Sequence, residues 1–193
     1  MTSCVECGLA KGRTLVVPGE GPHDADIMFV GEGPGQQEDR TGRPFVGPAG
    51  QLLEQLLSSI GIRRNQVYIC NVVKCRPPGN RDPLPEELAA CKHWLDNQIR
   101  LVQPRIIVTL GRFSMSRWFP GQSISRIHGK HIKRDGVIIF PMYHPAAALH
   151  QQSLRGALED DIKKLPLLLA ESLTEAAPPP PKVDPDVKQL SLF

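Results

Sequence analysis

The sequence predicts an α/β domain built on a parallel sheet with helices on both faces. Three observations carry this expectation. Short apolar runs alternate with stretches of helical periodicity. Glycine and proline punctuate the joints between them. The polar motifs fall where strands end: Glu32 after the first, Asn71 after the second, His144 after the fourth. Ligands bind at that edge of open α/β sheets. At 193 residues with ordinary apolar content, the chain is one domain with room for a proper core.

The first strand is expected over residues 26–30. It leads into GEGPGQQEDRTGRPFVGPAG, a stretch dense in glycine and proline, and then into a helix over 49–60 closed by Gly61. Glu32, Glu38 and the neighbouring Asp39 set three carboxylates around that turn. Phe45 follows Pro44 in a Gly-flanked loop, where an aromatic ring has little reason to be core. A second strand over 67–70 delivers Asn71. The prolines that follow forbid regular structure until Pro85, which suits the first turn of a helix reaching about residue 102, with Glu86 and Glu87 near its positive end. A third strand covers 105–110 and a short helix 113–119. Residues 123–134 are polar and basic, without an assigned element. A fourth strand over 137–140 ends in PMYHPAAAL, and a last helix covers 155–171. The domain is taken as residues 1–172, a monomer. Residues 173–188 are a Pro-rich linker that cannot pack and is expected to be disordered.

A net charge of +3 permits a nucleic-acid partner without arguing for one. The N-terminus has no apolar signal region, and no apolar run approaches the ~20 residues that span a bilayer. A soluble cytoplasmic protein is the expectation. Disulfides are rare there, so five cysteines point to metal, catalysis or burial. Cys4, Cys7, Cys75 and Cys91 form a C-x₂-C…C-x₁₅-C set. Four thiolates suit either tetrahedral zinc or a cubane iron–sulfur cluster, and spacing does not separate the two. Cys70 lies inside a strand and is expected to be buried.

Several long motifs occur together and in order: the N-terminal C-x-x-C, GEGPGQQED, GRPFVGPAGQLL, NVVKCRPPGNRDPLPEE-x₃-C and HPAAAL. In these the chain resembles the family 4 uracil-DNA glycosylases, the iron–sulfur-containing enzymes of their superfamily. The resemblance implies a three-layer α/β/α domain with a central four-stranded parallel sheet. It implies a [4Fe–4S] cluster on the four cysteines and hydrolysis of the N-glycosidic bond of deoxyuridine in DNA, in base excision repair near the nucleoid. Phe45 is then the platform for a flipped uracil, with Gly31 and Gly33 at its backbone. Asn71 reads the base edge, because a carboxamide can accept from N3–H and donate to O4, whereas cytosine presents the inverse pattern. Glu38 lies near C5, where a thymine methyl would have to fit. His144 donates to O2 of the departing base. Glu32 orients water or steadies the cationic sugar, and Asn80 matches a supporting catalytic position. A better-known branch carries a water-activating Asp where this chain has Gly33, which leaves Glu32 or a backbone-held water as the base. Arg76, Arg81 and the basic stretch 126–134 can hold phosphates. A lesion-binding protein without catalysis and a glycosylase for other deaminated bases are the alternatives. At the C-terminus, Gln189, Leu190, Leu192 and Phe193 resemble the short peptide by which bacterial proteins dock on the replication sliding clamp.

Overall fold

The computed structural model describes residues 1–174; the first two residues expected in the linker, 173 and 174, instead end a helix, and the rest of the linker and the 189–193 peptide lie outside the described residues. A five-stranded sheet forms the centre: β1 (Ile27–Gly31), β2 (Tyr68–Asn71), β3 (Ile106–Leu110), β4 (Ile132–Arg134) and β5 (Val137–Met142), in spatial order β2-β1-β3-β5-β4. The pairs β1–β2, β1–β3 and β3–β5 are parallel. Every residue of β1, β2 and β3 is buried, which is why these strands read as unbroken apolar runs rather than as alternations.

The helices are α1 (Gln36–Thr41), α2 (Pro48–Ser59), α3 (Pro85–Val102), α4 (Arg112–Ser116), α5 (Ile124–Ile127), α6 (Pro145–Ala148), α7 (Gln152–Ile162) and α8 (Leu165–Thr174). Leu52, Leu53, Leu56 and Leu57 give α2 a core-facing stripe. They pack with Phe29, Ile69, Val108 and Phe140 of the sheet and with Leu158 and Ile162 of α7. The opposite sheet face, through Met28, Val30, Cys70 and Ile107, packs on Leu95 and Val102 of α3. Three layers result. Prolines set the helix starts: Pro48 and Pro85 stand at first helical positions, and Glu87 accepts the Leu84 N–H to complete the second cap.

The structure corrects the four-stranded expectation. Part of the basic stretch forms β4, an antiparallel edge strand on β5. Asp135 and Gly136 both adopt positive φ (51° and 80°). An Asp-Gly pair at a two-residue turn is a strong hairpin signal, hidden here because β4 is exposed along its length and lacks an apolar face. The single helix expected over 155–171 is two, α7 and α8, since Pro166 lacks the N–H that would continue the first into the second. The short helix α1 carries too few apolar residues to show a period. The free edge of β2 is covered by the N-terminal segment, where Glu20 and Ile69 exchange backbone hydrogen bonds at 2.9 and 2.8 Å.

Leu57 is fully buried between α2 and the sheet. Leu57→Ala is expected to lower unfolding free energy by about 2–5 kcal/mol in urea titration. A loss below about 1 kcal/mol would show that this layer packs loosely.

Candidate active site

Loops that follow β1, β2 and β5 enclose a cavity of about 530 Å³ at the C-terminal edge of the sheet, within the range of small-molecule sites. The strand order reverses beside β1, so this is the crevice where open α/β sheets bind ligands. Glu32, Gly33, Glu38, Phe45, Asn71, Asn80 and His144 all line it. These residues come from four separate stretches of sequence. Gly31 lies behind the wall instead: a Cβ there would meet the Phe45 ring at 2.6 Å and would also strike the Asn71 carboxamide. Its lack of a side chain lets those two groups approach each other.

Phe45 differs from expectation in one respect. It is 5% exposed and belongs to the main core cluster, so one ring serves both core and cavity. Its backbone is left-handed at φ 50°, a conformation that costs a bulky residue roughly 1–3 kcal/mol. Two side chains hold it there. Arg64 donates to the carbonyl of Phe45 at 2.8 Å and to that of Pro44, and is itself paired with Glu20 at 3.0 Å. The Glu38 Oε1 accepts from the N–H groups of Val46 and Gly47 at 2.9 and 2.8 Å, while Oε2 accepts from Gly35 at 3.1 Å. Glu38 therefore lines the cavity with a carboxylate already committed to the backbone.

The Phe45 ring stacks on His144, centroids 5.6 Å apart with 28° between planes. His144 opens α6, and its Nδ1 accepts the Ala146 N–H at 3.1 Å. An accepting Nδ1 puts the proton of the neutral ring on Nε2. Burial pushes the ring's pKa down to about 4, against a smaller opposing pull from Glu38, so at neutral pH His144 is an uncharged Nε2–H donor. Asn71 is 1% exposed, and its Oδ1 is buried with no hydrogen-bond partner among the described residues. Such an atom beside a cavity is free to accept from a bound group. Burial first, and then the nearby Asp82, raise the pKa of Glu32 above its ordinary value; Arg112, which pairs with Asp82, opposes this.

Asn80 occupies a left-handed turn position at φ 56° and accepts from Arg76 at 2.7 Å while lining the cavity. Arg81, paired with the buried Glu87 at 2.7 Å, lines it too. The basic stretch 126–134 splits. Gly129 bonds Pro141 near the site end of β5, whereas Arg134 pairs with Val137 at the opposite end of the sheet. Arg64 and Arg112 have no signal in the sequence, because their partners are distant in the chain, whereas Leu149, exposed on the rim, closes the HPAAAL motif.

Cys4, Cys7, Cys75 and Cys91 line a second, separate cavity with Met1, Leu9, Val16 and Trp94. Arg13 donates to the Cys75 Sγ and the Lys74 N–H to the Cys91 Sγ, each at 3.3 Å. The Trp94 Nε1–H lines the same region, buried and without a partner. Burial pushes the Cys91 thiol up to about 11, so a bound cation is what would ionise it. Among the described residues, no three His, Cys, Asp or Glu side chains are gathered as ligands of a single metal ion. Cys70 is buried in β2 and lines neither cavity, as expected.

The sequence model of the Uracil DNA glycosylase superfamily matches residues 18–165, a span that holds every element from β1 to α7 and the whole cavity. A Type-4 uracil-DNA glycosylase of Sulfurisphaera tokodaii is 52% identical over 84% of this chain and 79% of its own length. One from Thermotoga maritima is 51% identical over 83% of this chain and 86% of its own. One from Archaeoglobus fulgidus is 48% identical over 84% and 86%. With this match running through the strands that carry the cavity, the chain belongs to the Uracil DNA glycosylase superfamily.

Proposed function

We propose that this protein removes uracil from DNA, hydrolysing its N-glycosidic bond to leave an abasic site in base excision repair. The observation that carries the reading is the buried, unpartnered Asn71 Oδ1 at a cavity walled by the Phe45–His144 stack. A base must leave the duplex stack before its glycosidic bond can be attacked. The flipped uracil stacks on Phe45. Asn71 accepts from N3–H through Oδ1 and donates from its amide nitrogen to O4. Cytosine would set acceptor against acceptor at N3 and is rejected. The Glu38-pinned 45–47 loop forms an unyielding wall against a thymine methyl.

As the bond breaks, the sugar gains oxocarbenium character and the base leaves as an anion. The His144 Nε2–H donates to the developing charge on O2. The neutral ring suits this role, because an imidazole that bonds backbone through Nδ1 needs no proton from solvent. The Glu32 carboxylate steadies the cationic sugar and orients the water that adds to C1′. Arg76 and Arg81, flanking Asn80, hold phosphates beside the cavity, and Leu149, 47% exposed on the rim, can fill the gap in the stack left by the flipped base.

We infer that the four-cysteine cavity holds a [4Fe–4S] cluster. Support comes from four thiols lining one cavity, N–H donors on two of the sulfurs, and the unpartnered Trp94 N–H beside them. Such a group would act structurally, tying the N-terminus to α3 and the 72–81 loop, since the two cavities share no residue. The C-terminal Gln189, Leu190, Leu192 and Phe193 are proposed to dock on a sliding clamp. The linker would raise the enzyme's local concentration at newly made DNA.

An oligonucleotide with one deoxyuridine, treated with the protein and then with alkali, tests the activity: strand scission at the uracil is expected, and an intact strand would refute it. His144→Ser should lose about 2–4 kcal/mol of barrier stabilisation in single-turnover rate, as for removal of one oxyanion donor; a wild-type rate would remove His144 from the chemistry. Glu32 must be ionised to act, and its carboxyl titrates above the ordinary 4.5. The rate is therefore expected to fall as pH drops through a midpoint above that value, and Glu32→Gln should be slow and lack this limb. His144, protonating only near about 4, adds no limb near neutrality. Anaerobically purified protein is expected to be brown and to contain iron, unchanged on replacing Cys70; stoichiometric zinc without iron would overturn the cluster. Truncation after Lys188 should abolish clamp binding while sparing activity on short oligonucleotides, and equal binding by both forms would sink the docking role.

A further inference from the structure

Lys74 lines the cysteine cavity, and its side chain bonds a residue that lines the other. It is 1% exposed, and a lysine is almost never so buried without dedicated partners. Its amine donates to the backbone carbonyl of Asn71 at 2.6 Å and to Gln98 Oε1 at 2.5 Å. Gln98 is anchored in turn, donating to the Pro18 carbonyl at 2.6 Å and to the Tyr68 hydroxyl at 3.0 Å. The main chain of Lys74 is held on both sides. Its N–H meets the Cys91 Sγ at 3.3 Å, and its carbonyl accepts from Val17 at 2.8 Å.

Asn71 is the last residue of β2, where the ladder to β1 passes into loop contacts with the Gly31 and Glu32 carbonyls. A peptide at a strand end can tilt unless its carbonyl is fixed. Tilting it swings the Cα–Cβ bond and everything beyond. Base-edge recognition tolerates only about 0.5 Å or 10–20° of such error. The carbonyl of Asn71 is fixed by a side chain three residues ahead, whose own far end is braced by α3.

We propose that Lys74 is a positioning residue for base recognition, holding the Asn71 peptide so that the carboxamide meets the uracil edge at a productive angle. The inference rests on the reading of Asn71 as the uracil reader. The test uses the full chain, with Lys74→Met, which keeps the length of the stem and removes the donors. The probes are two oligonucleotides identical but for one nucleotide: 2′-fluoro-deoxyuridine, whose glycosidic bond resists cleavage, or thymidine. Binding of the thymidine strand reads DNA contact alone; the ratio of the two affinities reads base recognition. Lys74→Met is expected to bind the thymidine strand as the wild type does and to lose about tenfold of the uracil preference, the cost of one misaligned hydrogen bond. A lysine that serves only stability would lower the melting temperature and leave the ratio intact, and that result in folded protein overturns the proposal. Should Lys74→Met fail to fold, Gln98→Met decides. It leaves the lysine in place but removes its brace, and a smaller loss of preference is expected; an unchanged ratio overturns the proposal. A wild-type protein without any uracil preference would instead refute the uracil reading itself.

Discussion

The aromatic wall of the cavity depends first on a part-buried network around one carboxylate. Glu38 accepts three backbone N–H groups, one at the start of its own helix and two in the loop that follows Phe45. Charge-assisted bonds of this kind are about twice as strong as neutral ones, and they counter the left-handed strain at Phe45. With that loop held, the ring lies against His144 on one side and closes over Gly31 on the other. Arg64 supplies the opposite restraint from the carbonyl side. Without these two clamps the ring would relax toward an ordinary core position, and the cavity would lose its aromatic wall.

His144 shows how the same packing sets chemistry. Its ring is desolvated, which favours the neutral form, and its Nδ1 is spent on the backbone at the start of α6. Burial thus decides the charge and the local hydrogen bond decides the tautomer. A neutral ring fixed through its Nδ1 is a donor already oriented before any ligand arrives. Asn71 is organised by the same logic from the other direction. Its acceptor has no partner among the described residues and belongs to a residue that lines the cavity, unlike Thr109 Oγ1, which is equally unpartnered inside β3.

The cysteine cavity stands apart from this chemistry and close to its scaffold. It gathers the N-terminus, the segment after β2 and the middle of α3. That segment follows Asn71, the last residue of β2, and carries Lys74, Asn80 and Arg81. Whatever fixes the cysteines therefore stiffens the segment that carries Asn71, Asn80 and Arg81 to the other cavity, although no residue is shared between the two cavities.

The sequence by itself determined the layered parallel sheet, because strands buried on both faces must be written as unbroken apolar runs. It also placed Glu32, Asn71 and His144 at strand ends and grouped the four cysteines by residue type. The antiparallel β4 was legible only in its Asp-Gly turn, since an exposed edge strand carries no apolar pattern. The division of α7 from α8 was written in Pro166. What only the tertiary structure decided are properties that depend on distance between residues remote in the chain. These include the joint core and cavity role of Phe45, its clamping by Arg64, the raised pKa of Glu32 through burial and the nearby Asp82, and the bond from Lys74 to a site it does not line. Residue type and spacing carry packing periodicity, but desolvation and hydrogen-bond geometry exist only once the chain has closed around them.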